Sequence, residues 1–502
     1  MIKINNSSIQ FAANQFARLL DASNVPTRGV VNVLLPNCRE YIDCLRGTTW
    51  SGRTFTPINW HLKSEDIKYI IQNSEACALI VHADFAEQAK SIAELIPANN
   101  RFVVGGELHG FRSFNDIELF SNTALEKPLA GSIMMYTSGT TGRPKGVKPA
   151  SPKNEAPPCS NSKAGAMLLQ QFLGEKHNGP HLVAAPLYHV APSTYAEGAA
   201  LLDADIVIME KWDAEEFLRL VEKEKIVSTF LVPTHFVRLL RLPEATRNQY
   251  DLSSLKFICH GAAPVSQTIK QQMIEWLGPV LFEFYGGTEG GGISISSQDW
   301  LKHPGSVGKP RPDQEVSILD DDGQACATGT IGNIYFKANE NRFEYKGDPD
   351  KTASAYIDDR YTLGDMGYLD TDGYLYLSDR KADTIISGGV NIYPAEIEAV
   401  LLAHPAINDC CVVGVSDEEW GERVVAAIQL FEHIIEDASD SSLLLEDIAR
   451  HCRQTLASYQ QPKQFIIEQE LPRTDTGKLQ RRKIRDAYRL LYSNLESNKE
   501  NN

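Results

Sequence analysis

The segment at residues 136–146, with the sequence YTSGTTGRPKG, constrains this chain more than any other stretch. It follows a short apolar run, residues 133–136, that predicts a β-strand. Glycines let backbone N–H groups approach an anion closely, hydroxyl groups donate hydrogen bonds to it, and Arg143 and Lys145 add positive charge. The pattern predicts a mobile loop that closes over a polyphosphate. The competing interpretation is a surface turn rich in glycine and threonine.

This segment is not a Walker A loop. That motif has the form G-x-x-x-x-G-K-[ST] and leads directly into a helix whose N-terminus holds the phosphates. Here Pro144 separates Arg143 from Lys145, and four prolines between residues 149 and 158 forbid a helix over residues 148–162. The phosphate-binding loop is therefore of a different kind.

The composition predicts a globular protein of two or three domains. The chain has 502 residues, of which 42% are hydrophobic and 23% charged, and these values are ordinary for a soluble protein. The net charge of −16 argues against general binding to nucleic acid or to an anionic membrane surface. An anionic substrate therefore requires a local basic site, which residues 136–146 offer.

Neither a membrane segment nor a transition-metal site is predicted. No apolar run is long enough to span a bilayer, and the N-terminus lacks the apolar core of a signal peptide. The nine cysteines are scattered, without a Cys-x-x-Cys motif, and the histidines do not form a His-Glu-x-x-His motif. These features favour a cytoplasmic protein without a disulfide framework or a zinc site.

Alternating helical and β-branched patterns predict an α/β fold of layered subdomains. Helices are predicted at residues 8–22, from 64, near 213–224 and from 234. Strands are predicted at residues 30–35, 78–81, 102–104, 226–232, 256–259 and 280–284. From about residue 300, turn signals between short strands predict a small β subdomain, with a hairpin over 361–377 that turns at Asp372-Gly373.

A domain boundary is predicted at the charged stretch DRKAD, residues 379–383. We expect a large N-terminal domain at residues 1–379, a hinge at 380–383 and a small, mobile α+β domain at 384–502. In the small domain the patterns predict helices from Pro394 and near 443–456, and strands at 409–415, 424–431 and 464–468. The polar tail after about residue 493 is expected to be disordered.

Several further segments are candidates for chemistry. Two of them, residues 261–264 and 285–290, follow predicted carboxyl ends of strands, where such sheets bind ligands. Residues 285–289, YGGTE, offer the carboxylate of Glu289 to Mg²⁺; the alternative is an exposed acid in a glycine-rich loop. Asp365 lies between glycines. Its carboxylate could accept hydrogen bonds from both ribose hydroxyls of a nucleotide; the alternative is an acid in a β-turn. His189 is a lone histidine, and a lone histidine is more often structural than catalytic. Lys478 precedes the basic stretch 481–483, and taken alone it suits a solvated basic face.

These segments resemble the signature motifs of the adenylate-forming superfamily, which includes acyl-CoA synthetases, peptide-synthetase adenylation domains and beetle luciferases. They occur in the family's order and spacing across about residues 30–485. The likeness is greatest to fatty-acid and other acyl-CoA ligases, because no aspartate stands where peptide-synthetase domains pair the amine of an amino acid. One departure is Ala382, at the position where the family has its hinge aspartate or lysine.

The resemblance implies a role for each matching residue. The ATP phosphate contacts are Thr137, Ser138, Gly139, Thr140, Thr141, Gly142 and Lys145. The adenine and ribose contacts are Gly261, Ala262, Ala263, Pro264, Tyr285, Gly286, Asp365 and Arg380. The CoA contacts are Gly388 and Gly389, and the acyl pocket is lined by His189, Ser193, Phe236, Gly287 and Gly290. The catalytic residues are Lys478, Thr288, Glu289 and His189, with Glu289 as the Mg²⁺ ligand.

The resemblance further implies an AMP-forming carboxylate–CoA ligase that uses Mg²⁺, ATP and CoA. The glycines at 290–292 favour a medium-chain, long-chain or bulky hydrophobic acid. Two alternatives stay open: an adenylating enzyme that loads an acyl carrier protein, and a non-catalytic binder of acyl groups or nucleotides. The sequence leaves the oligomeric state undetermined, with a homodimer among the options.

Overall fold

The computed structural model describes most of the chain as two compact units. The described residues are 1–137, 143–148, 155–175, 177–311, 314–338, 342–388, 390–417, 420–431, 434, 441–473 and 479–500. Within them, the side chains of residues 379, 380, 382, 441 and 492–500 are not described. The first unit comprises residues 1–264, 268–301 and 338–359, and the second comprises residues 265–267, 302–337 and 360–502.

Helices and strands alternate through most of the chain. The helices are α1 (Asn6–Ala22), α2 (Arg39–Trp50), α3 (Ser64–Ser74), α4 (Ala86–Ile92), α5 (Ser160–Leu173), α6 (Val190–Leu201), α7 (Ala214–Glu224), α8 (Pro233–Leu240), α9 (Glu244–Arg247), α10 (Gln267–Leu277), α11 (Ser297–Trp300), α12 (Pro349–Ser354), α13 (Pro394–Leu402), α14 (Ser441–Thr455) and α15 (Arg481–Glu500). The strands up to residue 296 are β1 (Ile2–Ile4), β2 (Val30–Leu34), β3 (Thr54–Pro57), β4 (Ala76–His82), β5 (Arg101–Val104), β6 (Arg112–Ser113), β7 (Ser132–Ile133), β8 (Met135–Thr137), β9 (Lys145–Lys148), β10 (His181–Val183), β11 (Ile206–Ile208), β12 (Ser228–Leu231), β13 (Phe257–His260), β14 (Leu281–Gly287) and β15 (Gly290–Ser296). The later strands are β16 (Ser306–Gly308), β17 (Val316–Leu319), β18 (Gly332–Lys337), β19 (Glu344–Tyr345), β20 (Tyr356–Ile357), β21 (Arg360–Leu369), β22 (Leu375–Arg380), β23 (Ile385–Ser387), β24 (Val390–Ile392), β25 (Ile407–Asp417), β26 (Gly421–Leu430) and β27 (Gln464–Ile467).

Two largely parallel sheets form the first unit and confirm the predicted α/β class. One has the strand order β1-β11-β10-β12-β13-β14-β15, with antiparallel partners only at its two edges. The other has the order β6-β5-β4-β2-β3-β7 and is parallel throughout. Helices cross between parallel strands, which explains why Val31, Val33 and Ile80 are completely buried.

The apolar run at residues 133–136 differs from its prediction as one strand. Ser132 and Ile133 pair with β3, whereas residues from Met135 onward pair with β9 in a separate small sheet of order β19-β9-β8. The backbone changes sheets at Met134, whose amide still donates to Phe55 O. Periodicity alone does not reveal such a change of partner, because both strands are short and apolar.

The second unit contains an antiparallel sheet and an α+β region. The antiparallel sheet has the order β16-β22-β21-β18-β17, and β21 and β22 form the predicted hairpin with its turn at residues 370–373. The α+β region is built on the order β24-β23-β26-β25, with β27 beside β26. The C-terminal tail, which was expected to be disordered after about residue 493, is helical instead. α15 extends to Glu500, since no proline or glycine interrupts residues 481–500.

The predicted hinge forms a short 3-10 turn, Lys381–Asp383, directly after β22. Asp383 lies 3.7 Å from Nε of Arg481 and 3.5 Å from Nη1 of Arg485, both in α15. The turn is therefore tied to the C-terminal helix by ion pairs. The domain boundary at residues 379–384 stays a prediction. In the part of the chain that the structure describes, no helix is long and apolar enough to span a membrane.

Buried neutral histidines give the first unit a pH-dependent stability. Burial lowers the pKa of His181 and His235 to about 3, and that of His260 well below its usual value. The unfolded chain binds a proton at these groups below about pH 6.5, whereas the folded chain does not. The stability that these neutral histidines contribute is therefore fully present above about pH 6.5. It is lost as the pH falls towards 3, by about 1.4 kcal/mol per pH unit for each histidine.

We expect His181→Gln to flatten the pH dependence of the urea unfolding midpoint between pH 7 and pH 4.5. Asp43 acts in the opposite direction because burial raises its pKa to about 7, so the comparison must be between variants and not absolute. The matched control is His109→Gln, at an exposed position. A wild-type slope in the His181→Gln variant would contradict the assignment.

Candidate active site

The signature segment connects the two strands of a hairpin. β8 and β9 pair antiparallel, with Thr137 opposite Lys145 and Tyr136 opposite Gly146. Both ends of the predicted phosphate loop are therefore held at one place. The predicted contacts between them lie outside the described residues: Ser138, Gly139, Thr140, Thr141 and Gly142.

Aromatic side chains hold both ends of this hairpin. The Tyr136 hydroxyl donates to Asn73 Oδ1 at 2.6 Å. The Arg143 guanidinium lies 5.5 Å from the centroid of the Tyr69 ring, in cation–π geometry. A Cβ atom at Gly146 would come within 2.9 Å of Tyr136 Cζ, so the close approach of these strands requires glycine here.

A second segment brings Glu289 to the same hairpin. β19 pairs with β9, which places Tyr345 opposite Val147. The Tyr345 hydroxyl donates to Glu289 Oε1 at 2.9 Å. The Tyr345 ring also faces two ammonium groups, since its centroid lies 5.8 Å from Lys145 Nζ and 6.0 Å from Lys351 Nζ. Two lysines and a half-buried carboxylate thus surround one tyrosine.

The electrostatics of this group favour an anion. Burial and, next, the neighbouring Lys351 ammonium together lower the pKa of Lys145 to about 8, although Glu289 and Asp348 act in the opposite direction. Among the described residues, no carboxylate forms an ion pair with either ammonium. Two cations held close together without such a partner would be stabilised by a bound polyanion.

The YGGTE motif forms a β-hairpin instead of a loop after a strand. Residues 285–287 continue β14, and only Thr288 and Glu289 make the turn before β15. Each glycine from 290 to 292 has a positive φ, of 140°, 92° and 121°. Glycine adopts such values readily, so these residues have a backbone role in addition to any role in leaving room for an acid.

The predicted adenine segment follows the carboxyl end of β13, beside β14. A Cβ atom at Gly261 would lie 2.5 Å from Phe284 O, so this glycine is required for close packing of the two strand ends. Ala262 has a φ of 69°, in the left-handed region. The segment, which continues through Ala263 and Pro264, therefore lies next to the strand that carries Tyr285 and Gly286.

The residues predicted for the acyl pocket separate into two groups. His189 precedes α6, and its carbonyl oxygen accepts a hydrogen bond from Ser193 Oγ at 2.9 Å. Tyr195, also on α6, meets Cys259 on one face of β13, with a distance of 3.0 Å between Cys259 Sγ and the hydroxyl.

Phe236 packs against the opposite face of the same strand. Its ring lies 5.0 Å from that of His260, the residue after Cys259, and successive side chains of a strand point to opposite faces. Phe236 is fully buried. The structure therefore places it in the core and not beside Ser193, contrary to the expectation that both line one pocket.

The predicted ribose contacts meet in the second unit. Asp365 on β21 stands opposite Arg380 on β22, because the hairpin predicted at 361–377 extends over residues 360–380. Gly364, which precedes Asp365, has a φ of 83°. The side chain of Arg380 is not described, so its predicted contact with a nucleotide stays a prediction.

The predicted CoA contacts lie at a tight turn of the second unit. Gly388 follows Ser387, which pairs with Val390, and Gly389 lies outside the described residues. Gly388 has a φ of 58°, and its amide donates to Trp420 O at 2.8 Å. A Cβ atom at Gly388 would come within 2.7 Å of Trp420 Cε3. The Trp420 ring is 54% exposed, so this turn carries an accessible aromatic face.

Lys478 lies outside the described residues, but both ends of its segment are fixed. Arg473 pairs with Asp409 through two hydrogen bonds of 2.8 and 2.6 Å. Arg481 forms a bidentate pair with Glu398. Since these acids lie on β25 and α13, the segment between the two arginines begins and ends on ordered structure.

Sequence reasoning missed Tyr345, Lys351 and Trp420. The first two lie in the stretch YKGDPDK, which has the character of an ordinary turn. Their position depends on the pairing of β19 with β9, almost 200 residues earlier in the chain. An aromatic residue next to a turn that contains glycine, as in EEWGE at 418–422, was the available signal for Trp420.

Comparison with known families is consistent with this geometry. The family model "AMP-binding enzyme" matches residues 7–342, and the model "AMP-binding enzyme C-terminal domain" matches residues 396–478. The chain belongs to the AMP-binding enzyme family. The superfamily suggested by the motifs is thereby confirmed, and the chain is an adenylate-forming ligase.

Relatives of this AMP-binding enzyme differ in the acid and in the acceptor. Long-chain-fatty-acid–CoA ligase FadD13 of Mycobacterium tuberculosis is 28% identical, with 97% of this chain and 93% of the relative covered. Fatty acid–[acyl-carrier-protein] ligase ScoC of Streptomyces coeruleorubidus is 27% identical, with 95% and 90% covered. The crystal structure of the anthranilate CoA ligase AuaEII with anthranoyl-AMP has a TM-score of 0.83 at 26% identity, covering 97% of this chain and 92% of that one.

Proposed function

We propose that this protein is an ATP-dependent carboxylate–CoA ligase that acts in two steps. In the first, a carboxylate oxygen attacks the α-phosphorus of ATP, and the bond to the bridging oxygen breaks to release pyrophosphate. In the second, the CoA thiolate attacks the acyl carbonyl and AMP leaves. The observation that carries the proposal is the contact of Glu289 with Tyr345 beside Lys145. This contact joins the hairpin of β8 and β9, here called the phosphate hairpin, to the YGGTE hairpin of β14 and β15.

Residues of the first unit supply positioning and charge for the first step. Thr137 and Lys145 hold the ends of the phosphate loop, and Thr288 lies at the turn beside Glu289. Glu289 fits a Mg²⁺ ligand, because it offers hard oxygen atoms and Tyr345 orients one of them. Mg²⁺ bound there would neutralise phosphate charge. Lys478, which belongs to the second unit and is assigned from the family resemblance alone, would add a cation to oxygens that gain charge in the transition state.

Residues of the second unit are proposed to contact CoA in the second step. The resemblance to adenylate-forming enzymes implies that the small domain rotates at the hinge between the two steps and then presents Gly388 to the pantetheine arm of CoA. The exposed Trp420 ring beside Gly388 offers an apolar surface for such a chain. Nine free cysteines, most of them buried, suit a reducing compartment, and we propose a cytoplasmic location.

We expect Gly388→Ala to impair thioester formation about 10-fold, equivalent to about 1.4 kcal/mol, while acyl-AMP formation is nearly unchanged. The added methyl group displaces the Trp420 ring, and alanine disfavours the φ of 58°. The matched control is Gly373→Ala, where φ is 79° and no neighbouring atom lies within 4 Å of the added Cβ. Rapid-quench measurement of each half-reaction distinguishes them; equal effects of both substitutions would contradict a CoA role for this turn.

A hydrophobic acid is the proposed substrate class. FadD13 is named for long-chain fatty acids and AuaEII for anthranilate, an aromatic acid, so relatives of similar fold are named for acids of different shape. In this chain, half-buried His189 lies at the start of α6, and the three glycines at 290–292 present no side chains. A preference for acetate over medium-chain, long-chain and aromatic acids would refute the proposal.

The second candidate is transfer of the acyl group to a carrier protein, favoured by the name of the relative ScoC. The deciding experiment measures acid-dependent release of AMP and pyrophosphate across a panel of carboxylic acids, with and without CoA. The CoA-ligase proposal requires a thioester with free CoA. AMP and pyrophosphate release that yields thioester only with an added carrier protein would favour the alternative, and ADP release would refute both.

A further inference from the structure

We propose that Lys351 acts with Lys145 as a two-cation site that binds the β- and γ-phosphates of ATP and holds the pyrophosphate as it leaves. The inference rests on the proposed function for its ligand. Lys351 belongs to none of the motifs that the sequence identifies. Its assignment comes from the pairing of β19 with β9, which places α12 beside the phosphate hairpin.

The first argument is geometric. Lys145 and Lys351 face the same Tyr345 ring at 5.8 and 6.0 Å, so one aromatic platform positions both ammonium groups. The hydroxyl of that ring donates to Glu289. Any ligand that contacts both ammonium groups therefore also lies near the proposed Mg²⁺ ligand.

The second argument is the charge balance. Lys145 and Lys351 are half-buried, and Lys351 is close enough to disfavour the charge of Lys145. Lys346, five residues before Lys351, is different because its ammonium pairs with Glu75 at 3.1 Å. A polyanion that binds between two cations offsets the electrostatic repulsion between them. Pyrophosphate is such an anion, because it carries several negative charges on adjacent groups.

The third argument is position along the reaction. Lys145 is the first residue after the loop on β9 and stands opposite Thr137, the last residue before it. When the acid oxygen bonds to the α-phosphorus, the electron pair of the broken bond stays on pyrophosphate. Two ammonium groups at its oxygens stabilise that charge, with Tyr345 as a positioning residue for both.

The test compares the affinity of the full chain for inorganic pyrophosphate with Mg²⁺, by isothermal titration calorimetry. We expect Lys351→Met to raise Kd about 10- to 100-fold, the range for loss of a charged hydrogen bond. Lys351→Arg keeps the charge and should stay near the wild-type value. Lys351→Gln serves as a second neutral variant if the methionine variant does not fold. The control Lys346→Met, at a lysine already paired with Glu75, should bind like wild type.

Activity provides the second readout. Lys351→Met should raise the KM for pyrophosphate in ATP–pyrophosphate exchange by a similar factor, and should leave thioester formation from supplied acyl-AMP unchanged. Equal pyrophosphate affinity in the Lys351→Met and Lys346→Met variants would overturn the inference. The proposed function fails separately: wild-type protein that binds pyrophosphate through Lys351 but releases no AMP with any acid would refute the ligase and retain the anion site.

Discussion

Replacement of Lys478 by alanine is expected to reduce acyl-AMP formation by at least about 10²–10³-fold, the scale for losing one preorganised donor to developing charge. Conversion of supplied acyl-AMP to the thioester should be largely preserved, because in the proposed function the small domain would present a different face in that step. Single-turnover measurements of both half-reactions test this directly. The result would separate a catalytic cation from a solvated basic residue.

Lys483→Ala is the matched control for this experiment. Lys483 lies in the exposed first turn of α15, five residues after Lys478, and should be dispensable for both half-reactions. The pairs of Arg473 with Asp409 and of Arg481 with Glu398 hold the ends of the Lys478 segment in either variant. Equal loss of both half-reactions in Lys478→Ala would contradict domain alternation.

Loss of either partner of the Arg46–Glu197 pair is expected to lower the free energy of unfolding by about 3–5 kcal/mol. Two hydrogen bonds of 2.8 and 3.0 Å join α2 to α6, and each side chain is 1% exposed. Arg46 Nη1 also donates to Asn6 Oδ1 at 2.6 Å. Removing one charge leaves the other buried without compensation. Urea denaturation of Arg46→Met and Glu197→Gln measures the loss.

The double variant Arg46→Met/Glu197→Gln should lose much less stability than the sum of the two single changes, because no buried charge is left unpaired. Additive losses would contradict this account. An exposed pair provides the control: Lys90 and Glu87 lie 2.9 Å apart with 63% and 87% of their side chains exposed. Lys90→Ala should change the unfolding free energy by less than about 1 kcal/mol.

The predicted elements succeeded where local pattern carries the information. Apolar runs bounded by turn residues indicated β2, β4 and β5, and helical spacing indicated α1 and α7, with shifts of only one or two residues at most ends. α3 begins at Ser64 as predicted, and Lys63 occupies the cap position without a side-chain hydrogen bond. Such end effects depend on the local backbone path, which a helical pattern does not specify.

The structure brings together some of the residues predicted to share a site and places others on different faces of a sheet. Asp365 and Arg380 stand directly opposite each other, since both belong to one hairpin whose turn is visible in the sequence. Phe236 was expected beside His189 and Ser193, but it packs on the opposite face of β13. The direction in which the chain crosses between strands decides which face of the sheet a helix covers. No local motif near Phe236 indicates that direction.

The motifs and their spacing determined the family, the α/β class and most of the residues proposed for the chemistry, because glycines, hydroxyls and charges in short segments are local properties of the chain. Tertiary structure alone decided that Tyr345 joins Glu289 to Lys145, that Lys351 stands beside them, and that Trp420 covers Gly388. Each of these contacts links segments far apart in sequence through strand register. Register is settled by the packing of the whole sheet.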